Sequence, residues 1–337
     1  MKDKSGRMQG VQGLELVGQG NTDDIRRTSN VLCLLLVCYP LMTRILRLPL
    51  AYLAYLLGFH IRINPLTGLI SQTPALRTAL SAMTEVVSLS ILILLIAGLY
   101  YRPIAGVRMF RRPQKGVAPV AIPMILGVGA AAMGCASLLG RMLRFVGLVV
   151  YVEPEPIRSL TPEVFTALIT GLVLAILQEL LFRGALLAAL RQFGDEFAVL
   201  ISAVLFAIWC GGVAEAAYGL LFGICAAYFT IRSGSIYVAL AGRTGILLMM
   251  DAFRLCRGML PSRDAQLIVA VGLLLLAAAL LAYLRFLRLD PLAFQLKAPE
   301  DAMSTRTRVS AFCGSVCFVL FVLGLLYRTV GTIQVIG

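Results

Sequence analysis

Residues 178–184 read QELLFRG, and they place a glutamate and an arginine inside a span that is otherwise apolar. An ionised side chain at the centre of a bilayer costs about 2.5–3.5 kcal/mol, and it usually faces a bundle interior or a cavity. Glu179 and Arg183 lie four residues apart, so they share one face of a helix and can neutralise each other. The stretch predicts either a buried ion pair in which each charge only neutralises the other, or a polar cavity between helices.

The composition around this stretch is that of a membrane protein. Of the 337 residues, 59% are hydrophobic and only 14% are charged, and the mean hydropathy is +0.89. In a soluble domain about a quarter of the residues are charged. Several windows of about 20 residues carry little or no charge, which is the length that crosses about 30 Å of hydrocarbon. The predicted fold class is an all-α polytopic transmembrane bundle of eight to nine helices.

The apolar segments divide the chain into four regions. We expect a cytosolic polar arm at 1–29, N-terminal transmembrane helices at 30–160, a central core at 161–253 and C-terminal transmembrane helices at 254–337. The expected spans are 30–59, 79–101, 117–140, 164–190, 197–213, 216–231, 234–253, 265–284 and 309–328. Because the first of these contains Pro40 and Pro49, it is expected as a broken span or as a span followed by an interfacial helix.

The formal net charge of +13 would suggest a nucleic-acid partner for a soluble protein. Here the basic residues lie in short loops beside apolar spans, so the positive-inside rule explains them and no nucleic-acid partner is expected. The loop 102–116 carries five basic residues and no acidic one, which predicts a cytoplasmic position. We therefore expect an integral protein of the plasma membrane with its N-terminus in the cytoplasm.

An ordered set of motifs follows QELLFRG. Phe206 and Cys210 lie four residues apart, GLLFG occupies 219–223, SGSI occupies 233–236, and Arg243 ends the run GSIYVALAGR. In order and spacing, this region resembles the core of the CPBP family, also called Abi. That family includes type II CAAX prenyl endopeptidases and bacteriocin-processing or self-immunity proteins. The resemblance covers about a quarter of the chain, and it implies a CAAX-protease-like helical membrane core at 161–253.

The family's three motifs are EExxxR, FxxxH and HxxxN, and the sequence departs from each of them. In the first motif the resemblance places the leading glutamate on Gln178, whereas Glu179 and Arg183 keep the family's residues. In the second and third motifs the polar positions have changed. The altered family positions are Gln178, Cys210, Arg243 and Leu247.

These changes remove the groups on which the family's chemistry depends. The resemblance implies that glutamates and histidines activate a water against a peptide carbonyl and stabilise the oxyanion. Gln178 cannot accept a proton as a general base. The family's arrangement needs two histidines, but the chain has one, His60, which lies at the end of the first apolar region and is interpreted as interfacial.

The altered positions also argue against a metal. A catalytic zinc site needs three protein ligands besides its open position. Glu179 and Cys210 supply two at most, and the guanidinium of Arg243 would repel the ion. We therefore predict no bound metal and no cofactor.

Three functions stay open on the sequence alone, and enzymatic activity is undecided although inactivity is expected. The first is a pseudoprotease that binds a membrane protein, a lipid or a prenylated peptide as scaffold, regulator or immunity factor. The second is an intramembrane endopeptidase with altered catalytic residues, built on Glu179, Arg183 and Cys210. The third is a transport or lipid-handling protein, although the sequence lacks the internal repeat that transporters usually have.

Glu179, Arg183 and Arg243 are the predicted binding residues. If they meet, the local charge is near +1, and a buried positive charge in a low dielectric calls for a counter-ion. Asp251 is one candidate, because it lies eight residues beyond Arg243 on about the same helix face. A lipid phosphate or a peptide carboxylate is the other, held by the fork of the arginine.

Overall fold

The structure is a computed structural model that describes residues 21–59, 62–63, 70–71, 74–101, 110–114, 116–145, 148–149, 155–259, 264–289, 295–296, 303–332 and 334–335. Helices dominate this part of the chain, so the predicted fold class, an all-α membrane bundle, is confirmed. In chain order they are α1 (Thr22–Leu56), α2 (Pro74–Leu99), α3 (Ala118–Phe145), α4 (Pro162–Glu179), α5 (Leu187–Leu190), α6 (Asp195–Cys210), α7 (Val213–Ser233), α8 (Tyr237–Met259), α9 (Asp264–Leu289), α10 (Thr305–Cys313) and α11 (Val316–Thr332).

Short irregular elements complete the described part of the chain. A π-helical segment, Leu180–Leu186, joins α4 to α5, and a 3-10 turn at Arg191–Phe193 follows. Four strands of two residues each form two antiparallel pairs. They are β1 (Arg62–Ile63) with β2 (Ile70–Ser71), and β3 (Leu148–Val149) with β4 (Gln334–Val335).

Among the described residues, fewer helices have the length and hydropathy of a membrane span than the sequence predicted. Within the described residues six helices are long and apolar enough to cross, or seven if the bent pair α10 and α11 counts as one span. The predicted eight to nine included α6 and α8. With 16 residues, α6 rises only about 24 Å, less than the hydrocarbon thickness. α8 has the length, but it carries Arg243, Asp251, Arg254 and Arg257.

The first helix is longer and more regular than expected. α1 is continuous over 35 residues, with Pro40 and Pro49 inside it, rather than a broken span. It begins at Thr22 within the expected polar arm, and Asp23 and Asp24 in its first turn favour a helix N-terminus at this point. Residues 1–20 of that arm, and also His60, lie outside the described residues.

The last predicted span, 309–328, is divided between two helices that meet at an angle of 69°. Two side chains of α1 bind backbone and side-chain groups at the bend. The hydroxyl of Ser29 donates to the carbonyl of Phe312 at 2.9 Å and lies 2.7 Å from the hydroxyl of Ser315. The side-chain oxygen of Asn30 accepts from the backbone N–H of Cys317 at 3.1 Å. The break is therefore stabilised by hydrogen bonds from a helix distant in sequence.

The glycines of GLLFG let α6 and α7 cross closely. A Cβ atom added at Gly219 would lie 2.9 Å from the Cα of Ala207, and one at Gly223 would lie 3.0 Å from the Cα of Ala203. Small residues of this kind allow helix backbones to approach each other in membranes. This crossing places Phe206 and Phe222 side by side behind the polar residues of the core, with ring centroids 6.0 Å apart.

Candidate binding site in the membrane core

Three elements, α4, the π-helical segment and α8, bring the charged motif positions Glu179, Arg183 and Arg243 together. Glu179 ends α4, and Arg183 lies one turn further on in the π-helical segment. Both side chains are fully buried, and Nη1 of Arg183 donates to Oε1 of Glu179 at 3.1 Å. The i,i+4 spacing therefore yields a buried ion pair inside the protein.

Arg183 of this pair lies in a π-helical turn, whose backbone hydrogen bonds differ from those of an α-helix. The backbone N–H of Leu187 bonds to the carbonyl of Phe182, five residues back, and not to the carbonyl four residues back. The hydroxyl of Ser202 on α6 donates to the same carbonyl at 3.0 Å. The widened turn is thus tied to the neighbouring helix, and segments of this type occur frequently at functional sites.

Aromatic rings form one wall of the site and contact both arginines. The guanidinium carbon of Arg183 lies 4.4 Å from the ring centroid of Phe206 and 5.4 Å from that of Phe222. The guanidinium carbon of Arg243 lies 5.7 Å from each of the same two centroids. Ring faces attract cations at these distances. The two arginines therefore share one aromatic surface, although they come from distant parts of the sequence.

Arg243 also binds two polar side chains at the partly exposed side of the site. Its Nη1 donates to the phenol oxygen of Tyr218 at 2.6 Å, and its Nη2 donates to Oε1 of Gln178 at 3.3 Å. These contacts connect α8 to α7 and α4. The site thus has an outer layer of Gln178, Tyr218 and Arg243, which is partly exposed, and an inner layer of Glu179 and Arg183, which is not.

Several polar atoms of the two layers are buried without a hydrogen bond. Among the described residues no partner lies within hydrogen-bond distance of Oε2 of Glu179, of Nε and Nη2 of Arg183, or of Nε of Arg243. Buried polar groups in native proteins nearly always have a partner, so each exception requires an explanation. The unpartnered set contains three N–H donors and one carboxylate oxygen, all within one cluster.

The other predicted positions do not extend this polar network. The sulfur of Cys210 lies against the backbone of Gly219, at 2.9 Å from where a Cβ would stand. Leu247 packs toward Gly171 of α4. Asp251 pairs with Arg254 at 3.1 Å, so it is not the counter-ion of Arg243 that the sequence suggested. Arg254 is three residues from Asp251, whereas eight residues separate Arg243 from Asp251, about 12 Å along the helix.

Two residues at the site, Tyr218 and Glu215, were not predicted from the sequence. Tyr218 receives the shorter hydrogen bond of Arg243, and its position directly before GLLFG is the signal that could have indicated it. Glu215 lies in the first turn of α7, where its carboxylate folds over Gly212 and the helix N-terminus favours a negative charge. Tyr218 therefore belongs to the site, and Glu215 lies at its edge with Oε2 buried and without a hydrogen-bond partner among the described residues.

The described residues contain no group of three or more histidine, cysteine, aspartate or glutamate side chains that could hold a metal ion. A separate cavity of about 340 Å³ lies between α3, α8 and α9, where Met133, Met250 and Arg254 are among its lining residues. This cavity contains none of the motif positions. The polar cluster around Arg183 and the cavity are therefore two different features.

The fold and the buried polar core define an integral membrane protein of the CAAX-protease-like class. Residues 160–246, about a quarter of the chain, match the family described as Type II CAAX prenyl endopeptidase Rce1-like. The match supports membership of the CPBP family. The match contains Gln178, Glu179, Arg183, Cys210 and Arg243, and it ends one residue before Leu247. No curated protein and no solved structure matches the chain.

Proposed function

We propose that this protein is a pseudoprotease of the CPBP family, which binds a membrane protein, a lipid or a prenylated peptide without cleaving it and acts as scaffold, regulator or immunity factor. The observation that carries the proposal is the hydrogen bond between Arg243 and Gln178. In the family's motifs these positions hold a histidine and a glutamate. Here a permanent cation and a neutral amide occupy them and bind each other.

Neither partner of this contact can supply the proton transfer that peptide hydrolysis requires. An amide oxygen is not a base near neutral pH, and a guanidinium does not release its proton under these conditions. The carboxylate that is left, Glu179, has one oxygen held by Arg183 at 3.1 Å. General base catalysis at this place would therefore depend on Oε2 of Glu179 alone, without the second glutamate and the two histidines of the family's motifs.

A rewired cysteine peptidase is disfavoured by the surroundings of Cys210. A thiol becomes a nucleophile as a thiolate, usually with a histidine beside it. The one histidine of the chain, His60, belongs to a different part of the sequence, near the end of α1. The sulfur packs against the close crossing of α6 and α7. A packing role at this crossing accounts for Cys210.

The features that have been kept support binding. The ion pair Glu179–Arg183 is expensive in a membrane core, and so is the second cation at Arg243. A chain that had merely lost activity would gain stability by replacing these residues with apolar ones. Their presence together with the aromatic wall is what we expect of a site that still recognises a ligand.

A reconstituted cleavage assay tests this proposal. The full chain in liposomes is incubated with a fluorogenic prenylated CAAX peptide, and we expect no turnover above that of the Glu179→Ala variant. The assay is repeated with a fourfold variant that restores the family's residues: Gln178→Glu, Cys210→His, Arg243→His and Leu247→Asn. We expect it to gain cleavage, whereas Gln178→Glu alone gains none.

Two outcomes would overturn the proposal. One is turnover by the unmodified chain that disappears in Glu179→Ala. The other is one stoichiometric metal ion, found by elemental analysis, that is lost in the same variant.

We further propose that the protein lies in the plasma membrane with its N-terminus in the cytoplasm, because the basic loop 102–116 favours that side. A reporter fused to the N-terminus checks this orientation. Protection of the reporter from external protease in intact cells is the expected result.

A further inference from the structure

We propose, resting on the function proposed above, that the site binds a single carboxylate at the end of an apolar chain. The open N–H edge of Arg183, formed by Nε and Nη2, would hold the two oxygens, and Nε of Arg243 would add a third donor. The ligand class is thus an apolar molecule that ends in a carboxylic acid, and the same chemistry describes a free fatty acid and the C-terminus of an apolar peptide.

The charges of the site require one negative charge. Arg183 and Arg243 contribute two cations, and Glu179 contributes one anion. Asp251 pairs with Arg254. Glu215 lies in the first turn of α7, where the helix N-terminus favours a negative charge, and its Oε2 has no hydrogen-bond partner among the described residues, so the count is made for Arg183, Arg243 and Glu179 alone. A monoanion would bring the cluster to neutrality, and a buried charge without compensation is strongly disfavoured.

The same chain shows how this edge of an arginine binds a carboxylate. Nε and Nη2 of Arg191 donate to Oδ1 and Oδ2 of Asp195 at 2.7 and 3.3 Å. In Arg183 the ion pair uses Nη1, and the equivalent Nε–Nη2 edge is buried with no partner among the described residues. Two parallel N–H groups match the two oxygens of a carboxylate in this geometry. The preference for a carboxylate follows from the Nε–Nη2 edge of Arg183, which Glu179 does not use.

The ligand can approach from the outer layer. Gln178, Cys210, Tyr218 and Arg243 are each partly exposed, whereas Glu179 and Arg183 are fully buried. A carboxylate at the end of a chain can reach a buried arginine more easily than the phosphodiester of a phospholipid, which lies in the middle of its molecule. The apolar remainder of the ligand would stay in the apolar surroundings of α4, α7 and α8. This arrangement favours a terminal carboxylate over a phosphodiester.

Binding measurements with matched acids and neutral analogues test the inference. The full chain in nanodiscs of phosphatidylcholine is titrated with oleate and methyl oleate, and separately with an apolar tripeptide as its acid and as its amide. We expect an acid to bind at least tenfold more tightly than its neutral analogue. Preference for oleate alone assigns the site to fatty acids, and preference for the tripeptide acid alone assigns it to peptide C-termini.

Two variants should change the affinity in opposite directions. Arg243→Leu makes the cluster neutral and should weaken binding of the acid at least tenfold, whereas Glu179→Gln makes it more positive and should strengthen binding. Arg183→Lys keeps the charge but removes the Nε–Nη2 edge, so it should weaken binding as well. Arg288→Leu, at an exposed arginine in the last turn of α9 and outside the site, is the control and should leave the affinity unchanged.

The outcomes separate this inference from the proposed function. Equal affinities for acid and neutral analogue, or weaker binding in both Arg243→Leu and Glu179→Gln, would overturn the carboxylate site while the absence of cleavage still stands. Should Arg183→Lys fail to fold, the opposite shifts of the other two variants still decide the question. Cleavage of the prenylated peptide by the unmodified chain would instead defeat the proposed function.

Discussion

Nη2 of Arg243 donates to the amide oxygen of Gln178 at 3.3 Å. The two residues are 65 positions apart in the sequence, and their contact joins α8 to α4. Both residues occupy positions at which the family's motifs have a different polar residue. Together they satisfy each other in part, so the two changes are best understood as one alteration of the site.

This relationship predicts the effect of restoring one residue. Gln178→Glu converts the hydrogen bond from the guanidinium of Arg243 to a neutral amide into an ion pair between a guanidinium and a carboxylate. We expect the free energy of unfolding to rise by about 1 kcal/mol, with no cleavage of a CAAX peptide because both histidines are still missing. Thermal unfolding in detergent and the cleavage assay measure the two effects. The same substitution at Gln192, whose amide donates to the carbonyl of Ala189, should not stabilise the fold.

The buried ion pair predicts that single and double substitutions differ. Glu179→Leu leaves Arg183 as a buried cation, so we expect a loss of about 3–5 kcal/mol in the free energy of unfolding. The double variant Glu179→Leu, Arg183→Leu should lose less than this single variant, since it leaves no charge behind. Denaturation with a mild chemical denaturant in detergent compares them. A double variant that is less stable than Glu179→Leu would contradict this account.

The contact of Arg243 with Tyr218 should appear as a coupling energy. A cycle of Tyr218→Phe, Arg243→Leu and the double variant removes the 2.6 Å hydrogen bond in two ways. Hydrogen bonds to a charged group contribute about 1.5–3 kcal/mol, so we expect a coupling of that size. Strictly additive losses of stability would show that the contact contributes nothing.

The close crossing of α6 and α7 predicts a strong effect of small substitutions. Gly219→Ala and Gly223→Ala would push a methyl group against the backbone of α6, so each should lower the free energy of unfolding by about 1–3 kcal/mol. Gly134 and Gly272 are matched controls, since no described atom lies within 4 Å of a Cβ added there. Alanine at the controls should be neutral or stabilising by up to about 1 kcal/mol. Equal effects at all four glycines would count against the crossing.

The local parts of the structure were predictable. The spacing of Glu179 and Arg183 fixes their common face whatever the rest of the chain does, because an α-helix places residues i and i+4 together. The bulk composition determines the membrane class in the same way. The hydrophobic pattern was a weaker guide to the number of spans. α6 is mainly apolar after its first turn yet too short to cross, and α8 is long enough yet carries four charged residues.

Contacts between helices could not be predicted with the same success. The partner of Asp251 depends on which arginine is nearer along its own helix, and the partners of Arg243 depend on how α8 is rotated against α4 and α7. The hydrophobic pattern of a helix in a bilayer is nearly uniform, so it gives little information on rotation. The bend between α10 and α11 likewise depends on Ser29 and Asn30, almost three hundred residues earlier.

The sequence by itself determined that this is a helical membrane protein with a CPBP-family core, and that the two histidines of that family are missing from its motifs. Those conclusions rest on composition, order and local spacing, which folding does not change. Only the tertiary structure decided that Arg243 binds Tyr218 and Gln178, and that one edge of Arg183 is buried without a partner among the described residues. The reason is physical, because a guanidinium selects its partners by distance and direction in space, and these follow from the packing of four helices.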